Sequence, residues 1–336
     1  VDPHTHADRA VLEYPLVENL VMQGVTTFVG GNCGFAMAPV TDPDAAKGWM
    51  ARRGLDLPIT WRTFGEWMSL VEAEGLGPNL APLAGHNAIR IAVMGEDFKR
   101  PATPSEIEQM KAFTEEALSA GAVGLSAGLD AHWPGHFATN EELVELAKIA
   151  QRYGRYFTPH TKHHQNQWPV AHPEEYGYGI FHGPAGEIIA GRYHGLLEAI
   201  EIARQADQVQ LHIAHLTPAY IVPQPHPAYV DEVLAKATLE EIVDKAAQDG
   251  LDVTFNALGW EQSIGADEFI RASFYNPRCL LPAWLTSLSK EEFSRRLHGR
   301  VFRERVKEVI YSGKFKFGML HPLTDPYWMD CWQVVR

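Results

Sequence analysis

The feature that most constrains this chain is a strand-then-helix alternation that repeats along its first 260 residues. Short apolar runs of strand length recur at residues 25–29 (VTTFV), 79–84 (NLAPLA), 122–126 (AVGLS), 155–159 (RYFTP), 209–216 (VQLHIAHL) and 251–255 (LDVTF). Several are β-branched and aromatic, which suits a pleated sheet. Between them lie stretches with helix start and stop signals. Thr103-Pro104-Ser105-Glu106 and Thr139-Asn140-Glu141-Glu142 read as capping boxes, the first with proline at the opening helical position. Gly24 closes a short helix over 15–23. Thr60 is the expected cap of a helix over 59–73 and Thr238 that of a helix over 238–249; residues 193–205 and about 289–310 also read as helical. Such units with short connections imply parallel strands and right-handed crossovers. A repeat of about 30–45 residues predicts an α/β fold, a (β/α)8 TIM-type barrel, rather than an open sheet. No GxGxxG follows a strand, so a dinucleotide-binding sheet has no support. The chain reads as one barrel over residues 1–336. Its repeats are clear over 1–260, a mostly helical extension follows over 261–336, and no eighth strand is evident.

Composition narrows the partners. The 336 residues are 46% hydrophobic, enough for a large core. A net charge of −13 argues against a nucleic-acid partner. No apolar run is long enough to span a membrane. The three cysteines, Cys33, Cys279 and Cys331, form no disulfide framework, which favours a reducing, cytoplasmic setting. The chain opens at Val1 within what reads as a strand, as an interior fragment of a longer product would.

The chemistry-bearing residues fall at predicted strand ends, where barrels place their sites. His4 and His6, two apart, share one face of a strand, and imidazole is the commonest biological metal ligand. Cys33 follows the second strand within Gly30-Gly31-Asn32-Cys33-Gly34, as a thiolate ligand or as a small buried hydrophobe. His86 follows the third strand, either orienting substrate and donating to an oxyanion or making a structural hydrogen bond to a loop. His160 ends the fifth strand and His215 the sixth. His212, an odd number of residues from His215, reads as a core histidine. The long insertion over 162–192 reads as a lid, a surface excursion or a subunit contact.

These residues resemble a known family. VDPHTHAD, QGVTTFVGGNCGFAMAP, LAPLAGHNAIR, GAVGLSAGL, TPH and LHIAHL, spanning residues 1 to about 258, are similar in content and order to the N-acyl-D-amino-acid deacylases (D-aminoacylases) of the metal-dependent amidohydrolase superfamily. The resemblance implies a (β/α)8 barrel beside a small β-sandwich that is not seen here. It implies zinc, as one or two divalent ions. His4 and His6 would serve one metal position, His160 and His215 the other, with Cys33 shared. Three positions depart from the family. Lys162 stands where the family has arginine, and Thr217 where it has a carboxylate-anchoring lysine. Phe255-Asn256-Ala257-Leu258-Gly259-Trp260 replaces an Asp- and Tyr-bearing seventh strand. With His86, Lys162 and Thr217 as substrate-binding positions, the expected substrate is a small amide, less anionic or bulkier than a plain N-acyl-D-amino acid. The family's catalytic aspartate has no match in residues 261–336; Asp325 and Asp330 lie in a segment like the one preceding it. The reading is a hydrolase that cleaves a C–N amide bond with metal-activated water. A cyclic amidase, deaminase or decarboxylase on the same barrel stays open, as does a non-catalytic homologue. A homo-oligomer, or a companion chain completing the barrel, also stays open.

Overall fold

The computed structural model describes residues 1–51, 57–129, 134–162, 181–182, 188–189, 191–216, 235–257, 288 and 290–311. The chain divides into two compact units. One comprises Val1–Lys47, Leu57–Tyr220 and Asp231–Leu258; the other comprises Gly48–Asp56, Ile221–Val230 and Gly259–Arg336.

The first unit is a parallel sheet whose strands follow one another in chain order. Its strands are β1 (Thr27–Gly30), β2 (Asn79–Pro82), β3 (Ala84–Gly85), β4 (Gly124–Gly128), β5 (Tyr156–His160), β8 (Leu211–Ile213) and β9 (Val253–Phe255). β1 pairs with β2, and β3, β4, β5, β8 and β9 pair in that order, every ladder parallel. The ladder continues across Leu83, whose N–H donates to Gly30 O at 2.9 Å, while Val123 N–H donates to Pro82 O at 2.8 Å. Among the described residues no strand order reverses, unlike a doubly wound sheet with its switch point. Inside the 162–192 insertion, β6 (Phe181–His182) and β7 (Ile188–Ile189) form a small antiparallel ladder.

Register builds the core. Ala84, Leu125, Phe157, Leu211 and Val253 stand side by side across five strands. Leu125, Phe157 and Leu211 are fully buried, as are Phe28 and Leu83. Burying each of these side chains contributes about 1.5–3 kcal/mol. The connecting helices are α1 (Glu18–Val21), α2 (Pro43–Ala51), α3 (Phe64–Glu74), α4 (His86–Met94), α5 (Pro104–Ser119), α6 (Asn140–Arg152), α7 (Gly191–Gln205) and α8 (Lys245–Gln248). They bury Trp67 and Val71 from α3, Met110 and Leu118 from α5, and Leu143, Leu146 and Ile149 from α6. Of the second unit, α9 (Lys290–Leu297) and α10 (Arg300–Tyr311) are described; they divide the single charged helix expected over 289–310.

Several expectations change. The opening residues are not a strand. Asp2 alone bridges to Phe28. Pro3 has no N–H to give a ladder, and the Asp2 carboxylate takes the N–H of His4 at 3.0 Å. The α3 helix starts at Thr63, not Thr60, because Thr63 and Glu66 close a reciprocal capping box. The Glu116 carboxylate also accepts the N–H groups of Phe64 and Gly65, at 3.1 and 3.0 Å. The box at Thr103 forms as expected. At Thr139 only half forms, since the Glu142 carboxylate turns inward to His86 and Arg90. Thr238 is not a cap. It sits buried within a π-helical stretch, Ala237–Asp244, because the helix has already begun before it.

Candidate metal centre

Parallel strands that end on one side bring distant residues to one place. The bridge from Asp2 to Phe28 sets the opening residues alongside β1, and Thr5 N–H then donates to Val29 O at 3.3 Å. β1 runs into the turn Gly31-Asn32-Cys33-Gly34. Three of its residues are left-handed, Gly31 at φ 77°, Cys33 at φ 55° and Gly34 at φ 76°. The flanking glycines are required by space as well as angle. A Cβ on Gly31 would lie 2.5 Å from Leu83 O, and one on Gly34 would lie 2.7 Å from Gly128 N. The Ser126 hydroxyl on β4 fastens the turn. It donates to Gly31 O and accepts the Gly34 N–H at 3.0 Å. Asn32 Nδ2 donates to Val29 O at 2.8 Å and to Thr5 O at 3.2 Å, tying this turn to the His4–His6 segment. His160 is the last residue of β5, and His215 follows β8 with a left-handed backbone at φ 36°.

The side chains converge. His4, His6 and Cys33 form one group and Cys33, His160 and His215 another, with candidate ligand atoms in each group all within 4.8 Å of one another. Cys33 Sγ lies 3.4 Å from His4 Nε2 and 3.5 Å from His215 Nε2. The His4 and His215 rings meet edge-on at 4.7 Å, and those of His160 and His215 at 4.4 Å. Cys33, His160 and His215 are buried, whereas His4 and His6 are half-buried. Burial holds the His4 imidazole down to about 4, helped by the nearby His160 and His212. A neutral imidazole is the form that ligates.

The donor set fits a borderline-soft divalent ion. Zinc takes sulfur at ~2.3 Å and imidazole nitrogen at ~2.0–2.1 Å in a tetrahedron, which puts S···N edges at about 3.5 Å. The Cys33–His215 contact of the inner group has that length, as does the Cys33–His4 contact of the outer group.

No protein-family model matches the chain. Among curated proteins it is 30% identical over 222 residues to a D-aminoacylase of Alcaligenes xylosoxydans xylosoxydans, covering 63% of this chain and 45% of that protein. It is 31% identical over 230 residues to an N-acyl-D-aspartate deacylase of the same organism, covering 63% and 44%. The fold agrees. A D-aminoacylase structure described for its binuclear metal centre superposes with a TM-score of 0.58 at 26% identity, covering 77% of this chain and 47% of that one. An N-acyl-D-glutamate deacylase of Bordetella bronchiseptica, complexed with zinc and a phosphonate mimic of the tetrahedral intermediate, gives the same TM-score, identity and coverage. The chain is similar to the D-aminoacylases. It spans less than half the length of these relatives.

Around the centre lie residues the sequence did not single out for their role. Asn256, just past β9, clamps the His215 turn. Its Oδ1 accepts the His215 N–H at 2.6 Å and its backbone O accepts the Leu216 N–H at 2.7 Å. That fixes the amide orientation, so Nδ2 donates to His212 Nε2 at 2.9 Å, and His212 Nδ1 donates to Thr254 Oγ1 at 2.8 Å. Both ring nitrogens of His212 are thereby engaged with β9 and its end, in keeping with a non-ligand histidine. Arg9 lies against His6, with Nη2 3.1 Å from Nδ1. The buried Asp8 carboxyl is pushed up to about 6 by desolvation, partly countered by Arg9.

Two of the expected substrate contacts are engaged elsewhere. His86 is fully buried at the start of α4, and its Nε2 donates to Glu142 Oε1 at 2.8 Å. Arg90 donates to the other Glu142 oxygen and to the carbonyls of Phe98 and Arg100. Burial would raise the Glu142 carboxyl, but hydrogen bonds from His86 and Arg90 bring it below its ordinary value. Lys162 forms an ion pair with Glu198 on α7 at 2.8 Å, both largely buried. Thr217 lies outside the described residues.

Proposed function

We propose that this chain carries the metal-binding part of a hydrolase that cleaves a carbon–nitrogen amide bond in a small molecule. The observation that carries the reading is the 3.5 Å spacing of Cys33 Sγ from His215 Nε2, with a ligand atom of His160 within 4.8 Å of both. Cys33, His160 and His215 would hold a divalent ion such as zinc, which the relative in complex with the phosphonate inhibitor also contains. When bound there, the ion supplies Lewis acidity for the carbonyl and brings a water's pKa toward neutrality. The chain's own residues do the rest. Burial of Cys33, His160 and His215 keeps bulk water from the ligands. Asn256 and Ser126 orient the His215 and Cys33 backbones, and His4 stays neutral at the rim. Among the described residues neither ligand group contains a carboxylate, so the acid–base group for the leaving amine is supplied from outside those groups.

The unreversed strand order supports closure of the sheet into a (β/α)8 barrel. The Lys162–Glu198 pair supports altered substrate anchoring, because the lysine charge is already neutralised. A substrate carboxylate gains little there, which favours a neutral or bulkier amide. The test is a hydrolysis panel on the zinc-loaded whole protein, with N-acyl-D-amino acids, their carboxamides and bulkier N-acyl amides. The expected result is metal-dependent turnover, abolished in Cys33→Ser, with carboxamides preferred at least tenfold in kcat/KM. No turnover of any amide by metal-loaded protein overturns the activity. A tenfold preference for free carboxylates overturns the substrate class.

A further inference from the structure

We infer that Arg9 withholds His6 from metal ligation, so that the protein holds a single ion at Cys33, His160 and His215 while the His4–His6–Cys33 group takes none. This rests on the metal-binding reading above and refines it.

The arrangement follows from a 3-10 turn, Ala7–Arg9, that begins directly after His6. In such a turn side chains at i and i+3 eclipse. The turn is closed by Arg9 N–H donating to His6 O at 3.3 Å, so the two side chains stack on the same edge. The Arg9 guanidinium then reaches His6 Nδ1 at 3.1 Å. A guanidinium has donors only and does not lose its proton in a protein. The hydrogen bond therefore takes the lone pair of Nδ1. A neutral imidazole carries one N–H, and with Nδ1 accepting, that hydrogen sits on Nε2. Neither ring nitrogen offers a lone pair to an ion. Ligation through Nδ1 requires Arg9 to leave; ligation through Nε2 requires an imidazolate, or the tautomer with its hydrogen on Nδ1, which faces the Arg9 donor and again requires Arg9 to leave.

Arg9 is held in place from other directions. Its guanidinium lies over the Phe35 ring, 5.6 Å from the centroid, and Phe35 follows the Cys33-Gly34 turn. Burial lowers the Arg9 pKa from its ordinary value, and the neighbouring Asp8 and Cys33 partly offset this. The Arg9 cation stands beside the outer group and repels a second dication there. The usual partner of a metal-bound histidine's outer nitrogen is an acceptor, a carboxylate or carbonyl, that takes its N–H. His6 has a donor at that place.

Equilibrium dialysis against zinc, read by elemental analysis on the whole protein, tests this without reference to activity. Wild type is expected to hold one equivalent and Arg9→Met two. His6→Asn is expected to keep one equivalent, with affinity within about twofold of wild type. Two equivalents in wild type overturn the inference. So does one equivalent in a folded Arg9→Met protein, or a tenfold or greater loss of affinity in His6→Asn. If Arg9→Met does not fold, the wild-type stoichiometry and His6→Asn still decide. Wild type that is folded and binds no zinc overturns the metal reading itself, an outcome distinct from two equivalents.

Discussion

Single residues at this centre divide into those that would touch an ion and those that aim them. Asn256 belongs to the second kind. It holds His215 in a left-handed backbone that a non-glycine residue rarely adopts unaided. Removing such a supporting partner costs roughly 10–100-fold in metal affinity. Asn256→Ala is therefore expected to weaken zinc binding by that factor in a dialysis measurement. Asn256→Asp, which retains the acceptor for the His215 N–H, is expected to lose far less; equal losses would remove Asn256 from this role. Glu142 gives the contrasting case. It compensates buried Arg90 and His86 away from the ligand groups. Glu142→Ala leaves a buried cation unpaired and is expected to cost about 3–5 kcal/mol in urea unfolding. Zinc affinity per folded molecule should stay unchanged. A large affinity loss at unchanged stability would instead restore His86 and Glu142 to the functional site.

At the level of elements, the first turn of α5 shows how a sequence signal becomes a measurable pH dependence. Arg100, then the Thr103 N–H, hold the Glu106 carboxyl down to about 2 from an ordinary 4.5. The folded value lies below the unfolded one, so this contribution to stability is fully present above about pH 4.5. It is lost as pH falls from there through 2. The melting temperature of wild type should fall more steeply over that window than that of Glu106→Gln; parallel curves would contradict it. The same element shows what was legible from sequence. Thr103, Pro104 and Glu106 are neighbours, and their chemistry is local, so the cap could be read directly. The Thr63 cap competed with Thr60 for one helix start, and the winner also uses Glu116, 52 residues from Phe64. Sequence alone places Glu142 in a cap, because its long-range partners, His86 and Arg90, have no local signature. The opening His4-Thr5-His6 illustrates the converse. Its strand assignment fails at Pro3, yet the two histidines still join Cys33, because the Asp2 bridge and Asn32 fix the segment rather than a ladder.

For the molecule as a whole, chain-order parallel strands turn a linear pattern into a spatial one. His4, Cys33, His160 and His215 are scattered over more than 200 residues of sequence; Cys33, His160 and His215 meet because each follows or ends a parallel strand, and His4 joins them because the Asp2–Phe28 bridge lays its segment beside the first of those strands. The strand periodicity made that meeting legible. The Asn256 clamp and the Arg9–His6 contact were not, since a side chain's hydrogen-bond partner depends on register and turn geometry that periodicity does not specify. A bound ion ties these segments together and stabilises only the folded state. At a free zinc concentration of 100 times Kd the gain is about 2.7 kcal/mol. Chelation is expected to lower the melting temperature by a matching amount, and an unchanged melt would speak against a site built across several strands.

The most direct measurement is cobalt(II) titration of the metal-free whole protein, followed by absorption. A thiolate ligand gives cobalt a sulfur-to-metal charge-transfer band, and a tetrahedral site gives intense visible ligand-field bands. The expected result is both signals saturating at one equivalent, with the charge-transfer band lost in Cys33→Ser and the visible bands weakened in His160→Asn and His215→Asn. Folded wild-type protein that shows neither signal, or a charge-transfer band that survives in Cys33→Ser, would contradict the account.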